Sequence, residues 1–163
     1  MKKLLYLLAL CICLNAYATD IYINNSGQAG TYNTLTAALA AAVDGDRILI
    51  PSYFALMEDV TVDKSVTICS PSQDSVFYLV GTMTIVANAQ KEIRIIGGEI
   101  DKMDFNSGTA TDSTDLCKFY LIDSYVDNGI NASCDGLSFN MLYCTMYGKA
   151  VKFKFESIIA SKL

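Results

Sequence analysis

Apolar and polar positions along this chain follow two periods in turn. Within residues 33–43, Leu35, Ala38, Leu39 and Ala42 fall at i, i+3, i+4 and i+7. That is the narrow apolar stripe of an amphipathic helix, with Asn33 or Thr34 placed to cap its start and Asp44-Gly45 to end it. Immediately afterwards the period drops to two. Residues 48–50, 60–62, 66–68, 77–80, 83–86 and 93–96 are short apolar alternations separated by turn residues, and their length and β-branched content predict strands. The helical stripe is too small to form a core, so the helix is expected to lie on something already built.

Strands this short cannot each bury a face alone, which directs attention to repeats. Three segments superpose: IRIIGGEID from Ile93, FYLIDSYVD from Phe119 and FNMLYCTMY from Phe139. Their first column is Ile93, Phe119, Phe139; the third Ile95, Leu121, Met141; the sixth the small residues Gly98, Ser124, Cys144; the eighth Ile100, Val126, Met146. A weaker echo sets Ile48 and Ile50 over Val66 and Ile68. Steps of roughly 20 residues with constant inward faces fit the coils of a solenoid whose turns vary in length. The fold class expected is therefore all-β, a short parallel β-helix, with the helix near 33–43 closing its first coil and covering raw apolar ends and unpaired strand groups. Column four, Ile96, Ile122 and Leu142, breaks the alternation: it is apolar where an outward residue is expected.

The first residues change the compartment. Lys2-Lys3, an apolar run over 4–14 and Ala16-Tyr17-Ala18 give the basic, hydrophobic, small-x-small order of a secretory signal peptide. Residues 1–18 are thus expected to be removed after Ala18, leaving a secreted, periplasmic or cell-surface domain at 19–163. The run is too short to span a membrane, and no transmembrane segment is expected in the mature chain. The full chain carries 12 basic and 17 acidic residues, net −5, and losing Lys2 and Lys3 takes it to −7. That balance argues against nucleic acid as a partner. Removal of the leader also leaves Cys69, Cys117, Cys134 and Cys144, whose pairing the sequence does not determine. With no histidine and no Cys-x-x-Cys, no metal site is expected.

TYNTLTAALAAAVDGDRILIPS followed by EDVTVDKSVTICS resembles the opening of secreted bacterial right-handed parallel β-helix proteins of the pectin-lyase-like superfamily. In that class a capping helix precedes Gly-Asp, a first strand ending in Pro and a later strand introduced by Asp-Lys-Ser. FYLIDSYVDN and FNMLYCTMYG resemble its recurring coils. Ser52-Tyr53-Phe54-Ala55 stands where such proteins often have a Gly-Thr-Tyr turn, and family members usually have many more coils. The resemblance implies carbohydrate lyases and hydrolases or binding modules and adhesins, and fold alone does not choose among them.

Lyases need a base with calcium or arginine against a uronate, and hydrolases need facing carboxylates. Only Arg47 and Arg94 are present, no calcium motif is seen, no cofactor is expected, and no catalytic residue carries over. Asp123 and Asp127 flank one coil, and Glu99, Asp101 and Asp104 form a second acidic group. Column alignment stacks Glu99 against Tyr125, which would make an acidic and aromatic outer strip, and tyrosine rings in such a strip can stack on sugars. The ligand-binding candidates are Tyr120, Tyr125, Tyr143, Glu99, Asp123 and Asp127. The plainer reading makes the same residues turn positions and solvated surface. The leading expectation is a non-catalytic module binding polysaccharide or a cell-surface protein. The alternatives are the N-terminal part of a polysaccharide lyase or glycoside hydrolase, and a structural or adhesive solenoid. The alternation at 150–155, with lysines between aromatics, runs out with no closing cap in sight, which leaves a short module and the front of a longer product both open.

Overall fold

A computed structural model describes residues 18–147, apart from 25, 27, 29, 73, 74, 112, 113 and 133, together with the backbone of 158–161. The expected leader at 1–18 falls, but for Ala18, outside the described residues, as does the alternation at 150–155. The first part comprises β1 (Asp20–Ile23), β2 (Thr31–Tyr32), helix α1 (Leu35–Ala41), β3 (Arg47–Leu49), β4 (Ala55–Met57) and β5 (Val60–Val62). There follow β6 (Thr67–Cys69), β7 (Phe77–Ala87), β8 (Glu92–Ile96), β9 (Gly98–Ser107), β10 (Cys117–Ile122), β11 (Tyr125–Val126) and β12 (Ile130–Ala132). The last are β13 (Leu137–Leu142), β14 (Thr145–Met146) and β15 (Ile158–Ser161).

The strands stack in parallel as a β-solenoid, as the repeat predicts. One sheet runs β15-β13-β10-β8-β6-β3-β1-β2 and the other β14-β11-β9-β7-β4, with β5 added on β7 and β12 on β9. From β3 to β13 the chain completes four turns. Among the described residues α1 is the only helix, and none is long and apolar enough to cross a membrane.

Each turn sends one set of side chains inward, so like residues stack at the strand spacing of about 4.8 Å. Ile48, Ile68, Ile95 and Leu121 form one such ladder, all fully buried. Leu56, Leu79, Ile100 and Val126 form another. Val62, Ile85, Phe105 and Ala132 line the third side. In the later coils the core turns aromatic: Phe119 stacks on Phe139 with centroids 5.4 Å apart, and Phe105 meets Phe119 edge-on at 5.0 Å. Each such side chain contributes about 1.5–3 kcal/mol by leaving water.

The helix covers the first coil, burying Leu35, Ala38 and Leu39. Its seven residues are too few to be stable alone. Side chains of the coil beneath hold both its ends. Thr34 caps it locally, its hydroxyl accepting from Ala37 N at 3.1 Å. Glu58, from the turn between β4 and β5, accepts from Leu35 N at 2.7 Å, Thr36 N at 3.1 Å and the Thr36 hydroxyl at 2.6 Å. At the other end Lys64 Nζ donates to the carbonyls of Leu39, Ala40 and Ala42 at 2.7, 3.2 and 2.8 Å. An anion on the free N–H groups and a cation on the free carbonyls answer both the unpaired groups and the helix dipole.

The three-segment alignment is reproduced: Phe119 pairs with Ile93 and Phe139, Leu121 with Ile95 and Met141, and Val126 with Ile100 and Met146. The upstream echo needs correction. Ile48 lies over Ile68, not Val66, so Leu49 pairs with Cys69. A slip of two residues keeps the same face inward, so apolar pattern could not distinguish the registers. The connection sets it instead, through Gly45 N to Ser65 O at 2.6 Å and Thr67 N to Asp46 O at 3.0 Å. The two strands expected at 77–80 and 83–86 are one strand, β7, with a register irregularity between Leu79 and Thr82. Gly81 sits there with φ +145°, and a Cβ on it would lie 2.4 Å from Glu58 O. The small-residue column also has its reason: a Cβ on Gly98 would lie 2.9 Å from the Phe77 ring, which fills that position one coil earlier.

Candidate functional site

Outward positions on the second sheet alternate with the buried ladder Leu56, Leu79, Ile100, Val126. They stack as Ala55, Tyr78, Glu99, Tyr125 and Thr145. The predicted Glu99–Tyr125 pairing is present. Tyr78 extends it, so that Glu99 lies between two tyrosines. Tyr125 is 42% exposed, enough to offer ring surface, while Tyr78 and Glu99 are half-buried by their neighbours in the column. Beside this column Asp127 N donates to Ile100 O at 3.0 Å and Asn128 N to Asp101 O at 2.7 Å, which places Asp127 along the same face, one coil beyond Asp101. Asn128 Nδ2 also donates to the Asp101 carboxylate.

Asp123 and Tyr143 occupy the corner between the two sheets. Both have positive φ, +47° and +55°, as do Gly97 at +68° in the preceding coil and Tyr53 at +59° in the first. Asp123 N donates to Leu142 O at 3.0 Å, and Gly97 N to Ile122 O at 3.0 Å. A left-handed residue at the corner lets these four coils turn between sheets without losing their ladders, which gives Asp123 and Tyr143 a backbone duty of their own. Tyr143 is 60% exposed and stands two residues before Thr145 of the column.

Tyr120 belongs elsewhere. It points outward from the first sheet, stacked against Arg94, whose guanidinium carbon lies 5.1 Å from the ring centroid. Arg94 is also paired with Glu92. The six candidates therefore divide between Glu99, Tyr125 and Asp127 on one face, Asp123 and Tyr143 at its edge, and Tyr120 on the other sheet. Sequence reasoning missed Tyr78. Its signal was its position directly after the buried Phe77, but placing it required the register of β7 on β9.

The apolar column Ile96, Ile122, Leu142 does point outward from the first sheet and is half-buried, with Cys69 and Leu49 preceding it. All four cysteines from Cys69 onward are free thiols. Burial raises the pKa of each, most for Cys117, which reaches about 11. Cys144 is half-buried and donates to Leu121 O and Leu142 O. Among the described residues no group of three or more histidine, cysteine or acidic side chains is placed to hold a metal ion.

An open groove of about 260 Å³ lies on the first-sheet side, lined by Gln90, Lys91, Glu92, Thr114, Leu116 and Lys118. It is below the usual range of about 300–1,000 Å³ for pockets that enclose a small molecule. The Tyr78–Glu99–Tyr125 face is an extended surface, with two rings for stacking and carboxylates that can accept from hydroxyl groups. No family model, no curated protein and no solved structure matches this chain.

Proposed function

We propose that this protein is an exported β-helix module that binds a polysaccharide chain along the outward face of its second sheet, without cleaving it. The observation that carries the proposal is the Tyr78–Glu99–Tyr125 column, flanked by Tyr143 and by Asp101 and Asp127. Two rings set two coils apart, about 9.6 Å at the strand spacing, can stack on alternate sugars of an extended chain, and the carboxylates between and beside them take hydrogen bonds from sugar hydroxyls. The leader-like residues 1–18 and the similarity of the opening to secreted pectin-lyase-like β-helix proteins favour an extracellular glycan over an intracellular ligand. Neither Arg47 nor Arg94 lies on this face: Arg47 is bound to Asp20 and Arg94 to Glu92. The face thus lacks the guanidinium that a lyase brings to a uronate.

Affinity electrophoresis through gels containing soluble neutral and acidic polysaccharides tests the reading. Retardation by at least one polymer is expected, with loss of about tenfold or more in affinity on Tyr78→Ala with Tyr125→Ala, each ring being worth about 0.5–1.5 kcal/mol. Retardation that survives the double substitution would move binding to another surface. Appearance of unsaturated or newly reducing sugar ends would replace this reading with a lyase or hydrolase. No retardation by any polymer, with capture of a cell-surface protein, would assign the face to that protein.

A further inference from the structure

Among the described residues Asp46 is the one charged side chain that is buried, only 2% exposed. Its Oδ2 accepts from Val43 N at 2.8 Å, and its Oδ1 accepts from Thr19 N and the Thr19 hydroxyl, both at 2.8 Å. All three donors are neutral in the unprocessed chain. The charged groups around it are committed elsewhere. Arg47 turns to Asp20 and Lys91 to Asp44, and Lys64, whose charge also acts on Asp46, directs its Nζ to three helix carbonyls. These three donors already hold the carboxylate in its charged form, and converting one of them to a cation would strengthen its bond to Oδ1.

Thr19 stands beside it, held independently of whatever precedes it. Its carbonyl accepts from Arg47 N at 2.9 Å, continuing the β1–β3 ladder, and its hydroxyl rests on Asp46. Ala18 is exposed. The Ala18–Thr19 bond is also the one that the leader pattern marks for cleavage.

We propose that hydrolysis of the Ala18–Thr19 bond during export delivers a new α-ammonium group to Asp46, forming a part-buried ion pair that locks the processed N-terminus onto the first coil. Water adds across the peptide bond, Ala18 leaves with the leader as a carboxylate, and the Thr19 nitrogen takes up protons to become an ammonium. The atom that gains the charge is already 2.8 Å from Oδ1, so an amide–carboxylate bond becomes an ammonium–carboxylate pair without rearrangement. The inference rests on the export reading for the identity of the cleaved bond, and on the geometry for everything else.

The test starts from the full chain expressed with its leader in an exporting host. The N-terminal residue of the exported product is determined, and the rate of acylation of its α-amine is measured near pH 8, folded and in denaturant. The product is expected to begin at Thr19. Its amine should react about fivefold or more slowly when folded, as expected near pH 8 for a pKa raised by about one unit above the ordinary ~8. Asp46→Asn should remove that protection. A product beginning elsewhere overturns the proposal together with the predicted cleavage site. A product beginning at Thr19 whose amine reacts equally fast folded and unfolded overturns the ion pair alone, and so does protection that persists in Asp46→Asn. If Asp46→Asn fails to fold, the pH profile of acylation in the unsubstituted product decides: an unshifted amine overturns the ion pair.

Discussion

The capped end of this solenoid and its middle coils are stabilised in opposite ways. In the middle, from β6 to β13, position in a column is what counts. Ile95, Leu121 and their neighbours are interchangeable in kind, and each is supported by the coil before and the coil after. At the capped end, among the described residues, only β1 and β2 precede β3 on the first sheet, and no strand precedes β4 and β5 on the second. The groups that would have paired are answered by individual polar side chains: Glu58 and Lys64 on the helix termini, Asp46 on the turn, and Asp44 accepting from Ser65 N at 2.8 Å. A repeat architecture therefore needs non-repeating chemistry where the repeat begins.

That contrast can be broken from either side. The largest effect is expected in the middle, where Phe119→Ala removes a ring that touches both Phe105 and Phe139. A loss of about 3–5 kcal/mol in a denaturant titration is expected, and a loss below about 1 kcal/mol would mean that the column is not the stabilising unit. Gly81→Ala, with its Cβ driven into Glu58 O, should cost about 1–3 kcal/mol through the strained corner. At the cap, Glu58→Ala should cost about 1–2 kcal/mol, since it strips three donors at the start of α1. If Glu58→Ala and an exposed outward substitution such as Lys118→Ala, expected within about 0.5 kcal/mol, prove equal, the cap is not held as described.

The two regions also separate by pH. Burial pushes the Asp46 carboxyl up, but the amides of Val43 and Thr19 and the Thr19 hydroxyl outweigh it, so its pKa lies below the ordinary value. Lys91, then the Ser65 amide, lowers that of Asp44. Their stabilisation is complete above the unfolded value of about 3.9 and is lost as pH falls through the lower folded values, so acid should loosen the cap first. Alkali acts on the coils. Cys117, raised to about 11 by burial and then by neighbouring Cys134, stays protonated when folded, while the unfolded thiol ionises near about 8.5. Stability should therefore fall with rising pH between those values. Amide exchange of α1 at low pH and thiol reactivity of Cys117 at high pH measure the two losses separately.

Much of the middle was legible in the sequence because a column repeats. Phe119 over Ile93 and Val126 over Ile100 can be read directly, since one face inward at every coil leaves a signature in residue type. Register upstream was less legible, because a two-residue slip at Ile48 preserves that signature, and only backbone bonds at the turn decide it. The cap chemistry was hidden for a different reason. Glu58 and Lys64 lie more than 20 residues from the helix ends they hold, in segments that look like ordinary polar turns. The candidate face was half legible: Glu99 and Tyr125 came from the alignment, whereas Tyr78 waited on the bulge at Gly81, and Tyr120 was grouped with them because outward direction alone does not say which sheet a residue leaves.

The helix and its two clamps lie at the N-terminal end of the stack, and this has a consequence for assembly. From β6 onward every strand pairs with one that precedes it by roughly one coil, and Glu58 and Lys64 follow α1 before the second coil begins. A chain delivered N-terminus first can thus complete its lid and first coil early, closing loops of only about 20–30 residues. Each later coil then finds a finished edge to zip onto. Growth would proceed in one direction, like a spiral staircase laid from a fixed landing.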